Sequence, residues 1–168
     1  MKTILSEKSA RILKNKKRLE EKLNVKITNR GKEISIKGNP EDEYTAEKVI
    51  DALNFGFSFS TAILIKEQDN LFETFSIKDY TKRHDLGRVR ARIIGKKGKT
   101  LKTLTELTNC YFELKDNEIG IIGDPELIKN AQKAIISIIK GSKQSNVYAN
   151  LERNQVQEIA DLGLKDKK

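Results

Sequence analysis

The strongest chemistry in the chain is carried by Gly95-Lys96-Lys97-Gly98 and the Lys99-Thr100 pair behind it. Two glycines three positions apart let a backbone come close to a partner, because neither carries a Cβ. Ile93 and Ile94 precede the turn, and Leu101, Leu104 and Leu107 follow it at helical spacing. The turn therefore joins the end of one helix to the start of another. A helix start presents unpaired N–H groups and a partial positive charge, which suits a phosphate. Lys96, Lys97 and Lys99 add full charges at the same place. The chemistry these residues offer is recognition of a phosphodiester backbone.

Other chemistries fit the sequence less well. Gly98-Lys99-Thr100 resembles the end of a P-loop, but that motif needs G-x-x-x-x-G-K-[ST], and its first glycine would fall on Ile93. His84 is the single histidine and has no cysteine cluster or second histidine with which to hold a metal. No histidine, serine and cysteine constellation points to nucleophilic catalysis, and the carboxylates are scattered through helices where lysines pair with them. The expectation is a binding protein and not an enzyme.

Charge supports a polyanionic partner. The 168 residues carry a net +9 with a pI near 9.5. Ten Lys or Arg against Asp79 and Asp85 give +8 between Lys78 and Lys102 alone, which leaves the remainder nearly neutral. A charge run is by default a solvated face; one flanking a Gly-Lys-Lys-Gly turn reads as a nucleic-acid surface. The single cysteine, Cys110, excludes an internal disulfide and fits a reducing cytoplasm, with core packing as its role. No apolar run reaches the roughly 18 residues of a membrane span, and no signal-peptide pattern opens the chain.

The elements that must position the turn follow from patterning. Thr3 to Leu5 reads as a short strand, Lys8 to Lys22 as one helix, and Asn24 to Thr28 and Glu33 to Lys37 as strands around Arg30-Gly31-Lys32. Asn39-Pro40-Glu41 is a helix start, with a capping side chain before a first-turn proline, and the helix runs to about Leu53. Phe55 to Asn70 is too apolar for a flexible linker and predicts a short helix packed between two halves. Leu71 to Tyr80 holds a strand with Phe75 and Ile77 on one face. Asp85 to Ile94 is a basic helix, and Cys110 to Leu114 and Glu118 to Ile122 are strands. Tyr111 and Phe112 point to opposite faces of one strand, so one of them is core, with Phe112 favoured, and the other is open to the groove or to solvent. Asp124-Pro125-Glu126 repeats the helix-start signature, with a helix to Lys140. Ser145 to Asp161 is a last helix offering Val147, Tyr148 and Leu151 for packing, and Lys165 to Lys168 is a loose end.

The two halves match without a gap at an offset of 85 residues. Leu19 falls on Leu104, Asn24 on Asn109, Ile34 on Ile119, Ile36 on Ile121, Gly38 on Gly123 and Pro40 on Pro125. The chain is a duplicated αββα segment with a strand before each copy. Gly95 to Gly98 falls on Ala10-Arg11-Ile12-Leu13, so the first copy has no G-x-x-G, and its segment there is too short for a helix equivalent to Asp85–Ile94.

Strand, helix, Arg92-Ile93-Ile94-Gly95-Lys96-Lys97-Gly98-Lys99-Thr100, helix, strand, strand, helix resembles a type I KH domain. Such domains clamp about four nucleotides of single strand with their GXXG loop. With Ile121-Ile122-Gly123 and Asn146-Val147-Tyr148-Ala149-Asn150-Leu151-Glu152, the chain is similar more narrowly to the archaeal tandem-KH relatives of the partner-of-Nob (Pno/Dim-type) small-subunit ribosome assembly factors. The likeness is good over about 70–150 and weaker over 15–65. It implies an α+β fold of two tandem type I KH-like domains, β-α-α-β-β-α, each a three-stranded sheet with helices on one face. The division is 1–68 for a degenerate first domain without GXXG, 69–150 for the second, and 151–168 for a helical tail.

The resemblance also implies RNA binding near the 3′ end of small-subunit ribosomal RNA, in the cytoplasm and without a cofactor. The expected contacts are Gly95, Lys96, Lys97, Gly98, Lys99 and Thr100, with Ile93 and Ile94 shared between core and groove floor. Arg88, Arg90 and Arg92 extend the contact to a neighbouring RNA helix. Expected partners are the ribosomal RNA precursor, the processing endonuclease and the alpha subunit of translation initiation factor two. The alternative is a protein–protein adaptor built on KH scaffolds.

Overall fold

Ile27, Ile34 and Ile36 alternate with polar neighbours and are fully buried, as are Ile119 and Ile121 at the equivalent places in the second half. That period of two makes half-buried strands. A computed structural model describes the backbone of residues 1–166 and the side chains of residues 1–155. The first half holds β1 (Lys2–Leu5), α1 (Ser9–Lys14), α2 (Lys16–Leu23), β2 (Lys26–Arg30), β3 (Glu33–Lys37) and α3 (Pro40–Phe55). Two single-turn helices, α4 (Phe59–Ala62) and α5 (Leu64–Glu67), lead to the second half. It holds β4 (Leu71–Ser76), α6 (Leu86–Ile94), α7 (Lys99–Thr108), β5 (Tyr111–Lys115), β6 (Glu118–Gly123) and α8 (Ile128–Ile139), followed by α9 (Gln144–Asp166). The sheets are ordered β1-β3-β2 and β4-β6-β5, antiparallel throughout. The α+β, KH-like architecture is thus present.

The repeat extends to atomic packing. Asn24 and Asn109 end α2 and α7 in the left-handed conformation at φ 54° and 53°, which Asn adopts more readily than other non-glycine residues. Directly after each, Val25 and Cys110 pack on Gly38 and Gly123. A Cβ there would lie 3.0 Å from Val25 Cγ1 and 2.4 Å from Cys110 Sγ. Burial pushes the Cys110 thiol up to about 11, with Asp124 adding to the rise and a hydrogen bond with Thr108 opposing it.

Five expectations are corrected. Lys8 to Lys22 is not one helix: it breaks at Asn15, whose Nδ2 donates to the Arg11 carbonyl at 3.2 Å and competes with the backbone ladder. The first half therefore does contain a counterpart of α6, the six-residue α1. Ile77 lies outside the strand, in a 3-10 turn capped by Ser76, although it is fully buried. The second proline start is also delayed. Asn39 Oδ1 accepts from Asp42 N–H at 2.9 Å and opens α3, whereas Asp124 Oδ1 accepts from Glu126 N–H and α8 begins only at Ile128. Finally, α9 runs on through Lys165 and Asp166, and the remainder of the expected loose end, Lys167 and Lys168, lies outside the described residues. Val147 and Leu151 of α9 are buried in the second core. Among the described residues, no helix is long and apolar enough to cross a membrane.

The halves share a seam. On the second sheet's outer face, Phe72 aligns with Ile122, and Thr74 with Gly120. Phe55 and Phe57 cover that face, and their rings lie 5.8–6.0 Å from each other and from Phe72. Ile122 accordingly belongs to the first half's core. A Cβ on Gly120 would meet Phe55 Cε1 at 2.8 Å and Phe57 Cε2 at 3.0 Å. Arg11 Nη2 donates to the Phe57 carbonyl at 2.9 Å and pins the seam. Burial there raises the Glu113 carboxyl above its ordinary value, against a lowering by Arg11 and Lys8.

Three outcomes follow. Gly120→Val should cost about 1–3 kcal/mol in urea unfolding through overpacking. Ser35→Val, at the repeat-equivalent position beside exposed Thr3 and Thr28, should stay within about 0.5 kcal/mol. The Cys110 thiol should resist iodoacetamide at pH 8 in the folded protein and react on unfolding, as followed by mass spectrometry.

Candidate nucleic-acid interface

The bend between α6 and α7 depends on Gly95. Its N–H closes the last turn of α6 on the Ala91 carbonyl at 2.8 Å. Its backbone then takes φ 77° and ψ 173°, a region open essentially to glycine alone. A Cβ at Gly95 would lie 2.1 Å from Thr100 Oγ1 and 2.7 Å from the Thr100 backbone nitrogen. Lys96 to Gly98 form one 3-10 turn closed by Gly98 N–H on the Gly95 carbonyl at 3.2 Å. Within it Lys97 and Gly98 are both left-handed, at φ 55° and 76°. Open space surrounds Gly98. The two glycines thus serve different needs: Gly95 supplies both a conformation and a close approach, and Gly98 only a conformation.

This geometry sorts the expected contacts. Thr100 is buried beneath the bend and Ile93 is fully buried in the core, while Ile94 is 39% exposed. Phe112 is buried and Tyr111 is 40% exposed, in line with the sequence assignment. Lys96, Lys97 and Lys99 are exposed at the start of α7, and among the described residues none of them is paired with a carboxylate. Positive charge, an exposed isoleucine and the first amides of a ten-residue helix therefore meet at one surface.

The three arginines of α6 do not share a face. Val89 and Ile93 face the core. Leu86, Arg90 and Ile94 form one stripe at spacings of four, and the Arg90 guanidinium donates to Asn117 Oδ1 in the β5–β6 turn. Arg88 and Arg92 lie on the far side, toward the C-terminal end of α8. Arg92 donates to the Ile138 carbonyl at 2.8 Å and the Ser142 carbonyl at 2.6 Å, and a cation at a helix C-terminus is stabilising. Arg92 is a clamp within the protein, and Arg90 is held by Asn117. Counting three arginines in one basic helix concealed this division, although the helical period written in the same residues contains it.

Sequence reasoning missed a cleft of about 910 Å³ on the α8 side, where Arg83 and Lys140 join Arg88 and Lys96. Arg83 was part of the basic run, but nothing in the sequence signals that Lys140 would come beside it. His84 is exposed. Among the described residues, no three histidine, cysteine or carboxylate side chains are grouped to hold a metal.

Comparison with known proteins bears on this surface. Residues 71–156 match the model of the second PNO1 KH domain, described as a eukaryotic-type KH domain, KH-domain type I. The pre-rRNA-processing protein PNO1 of Yarrowia lipolytica is 38% identical over 138 residues, 77% of this chain and 54% of that protein. The chain spans about half the length of the curated relatives it matches. The crystal structure of Dim2p from Pyrococcus horikoshii superimposes with a TM-score of 0.82 at 28% identity, covering 90% of this chain and 98% of that one. A chain of the a/eIF2alpha–aDim2p–rRNA complex from the same organism gives 0.83 at 27% identity, covering 93% and 94%.

The unequal glycines are separable by stability. Gly95→Ala should cost about 3 kcal/mol or more, since strain and a backbone clash coincide. Gly98→Ala should cost only about 1–2 kcal/mol, the left-handed penalty of an alanine in open space. Urea midpoints at constant slope measure both, and equal losses would contradict the division.

Proposed function

The chain belongs to the family of PNO1-type KH-domain proteins, and from that premise we propose that it is a ribosome-biogenesis factor that binds single-stranded RNA. The ligand is an unpaired segment near the 3′ end of the small-subunit ribosomal RNA precursor. One observation carries the reading. Exposed Ile94, the Gly95–Gly98 bend and three lysines at the start of α7, unpaired among the described residues, occupy one surface inside the region matching the second PNO1 KH domain. Such a surface holds phosphates on lysines and helix amides and leaves an apolar side for bases. The grip covers about four nucleotides, which must be splayed and unpaired.

In this reading the two halves are tandem type I KH domains, 1–68 and 69–150, followed by a tail over 151–168. The first is degenerate. Its counterpart of the bend is a one-residue junction at Asn15 with no glycine, so it offers no close approach to a backbone. It serves as a platform for the second domain and as a protein-facing surface. The solved complex of a/eIF2alpha with aDim2p and rRNA supports the alpha subunit of translation initiation factor two as a partner. The rRNA-processing endonuclease is the second proposed partner, on family resemblance. The protein acts by holding RNA in place for others, without chemistry of its own.

Replacing Lys96 and Lys97 together by Asp tests this directly, since both side chains are exposed. The full-length variant should keep its urea midpoint and lose affinity for short single-stranded RNA. Its log–log salt slope should flatten by about 0.7 per lost phosphate contact. Unchanged affinity in the folded variant would refute the reading. Crosslinking in cells should place Gly95 to Lys99 on precursor small-subunit RNA; an even spread over messenger RNA would remove the ribosomal assignment.

A further inference from the structure

We propose that the cleft between α6 and α8 is a second RNA site, one that takes the phosphate backbone of a duplex stem next to the single strand held by the GXXG loop. This rests on RNA being the ligand. The cleft measures about 910 Å³, and exposed Arg83, Arg88, Lys96 and Lys140 line it with no carboxylate among the described residues.

Its position needs explaining, because it opens at the C-terminal end of α8. Unpaired carbonyls there carry partial negative charge and repel a phosphate. Arg92 removes that obstacle: its guanidinium occupies the Ile138 and Ser142 carbonyls. The walls are fixed as well. The Arg92 clamp ties α6 to the end of α8, and Gln144 Nε2 donates back to the Arg92 carbonyl at 3.4 Å. Arg92 thus neutralises the helix end, and the four remaining cations are left to face outward.

Lining chemistry selects a duplex over a single strand. A single-strand site needs an apolar side for bases, as Ile94 gives the bend, and among the described residues this cleft is lined by no aromatic and no exposed large apolar side chain, Ile139 being buried. Contacts made only by cations read the backbone and not the bases. The cleft is also separate from the base-facing stripe. Arg88 lies on the opposite side of α6 from Leu86, Arg90 and Ile94. Lys96, at the corner of the bend, borders both. A strand leaving the GXXG grip and entering a stem can therefore lay that stem against α6 and α8.

The test uses the full chain and three RNAs: a six-nucleotide single strand, a hairpin stem, and the strand joined to the stem. The joined RNA should bind the wild-type protein about tenfold more tightly than the strand alone. Arg83→Glu with Lys140→Glu should abolish that gain, lower binding of the free stem, and leave strand affinity within about twofold. No gain from the stem in the wild type would overturn the proposal. So would an equal loss for strand and joined RNA in the variant, since the cations would then serve the single strand. Lys97→Asp, outside the cleft, separates the two readings. If it binds the strand like wild type while the stem gain persists and vanishes in the cleft variant, the groove assignment fails and the duplex site stands.

Discussion

The contact of Gly95 with Thr100 is the constraint on which the functional surface depends. A residue with a Cβ cannot occupy a position where that atom would stand 2.1 Å from a side-chain oxygen and 2.7 Å from a backbone nitrogen. The bend can therefore be tight only with glycine, and tightness sends α7 off so that its N-terminal end, three lysines and Ile94 share one surface. Lys97 is held left-handed in the same turn, at a cost of about 1–2 kcal/mol for a non-glycine residue. That strain sits in a loop whose neighbours, Thr100 below and Ile93 in the core, are buried.

Duplication explains which parts of the scaffold are shared and which are not. Asn24 and Asn109 turn the chain identically, and the Val25–Gly38 and Cys110–Gly123 contacts are copies of one another. Two divergences fall on surfaces that do something different. The glycine bend of the second half is replaced by Asn15 in the first. Gly120 on the covered sheet face corresponds to Ser35 on the first sheet, because Phe55 and Phe57 lie against only one of them. The first half is in this sense a support. Its phenylalanines cover Gly120 and Ile122 on the second sheet's outer face and leave α6, α7 and the bend at the surface.

Much of this was legible in the residues. The repeat, the strands, the Asn39-Pro40 start and the bend itself rest on local rules of period, capping and glycine freedom. So did the burial of one of Ile93 and Ile94. What escaped the sequence depends on competition or on distant partners. Nothing in Lys14-Asn15-Lys16 punctuates a helix as glycine or proline would, yet the Asn15 side chain breaks it. Asp124-Pro125-Glu126 carries the same letters as a helix start, but its carboxylate bonds two residues on and postpones the helix. The division of Arg88, Arg90 and Arg92 is set by Asn117 on one side and by the end of α8 on the other. Gly120 reads as a weak point in a strand until the phenylalanines from the other half are brought to it.

The central claim is that RNA enters at the Gly95–Gly98 bend of the second half and not at its counterpart in the first. Backbone amide shifts of the full-length protein, titrated with a short single-stranded RNA, test it residue by residue. The account predicts saturable changes from Ile94 to Lys99 and along the Leu86–Arg90 stripe, with Ala10 to Lys16 unmoved. Changes centred on Ala10 to Lys16, or a bend whose amides stay still while RNA binds, would contradict it.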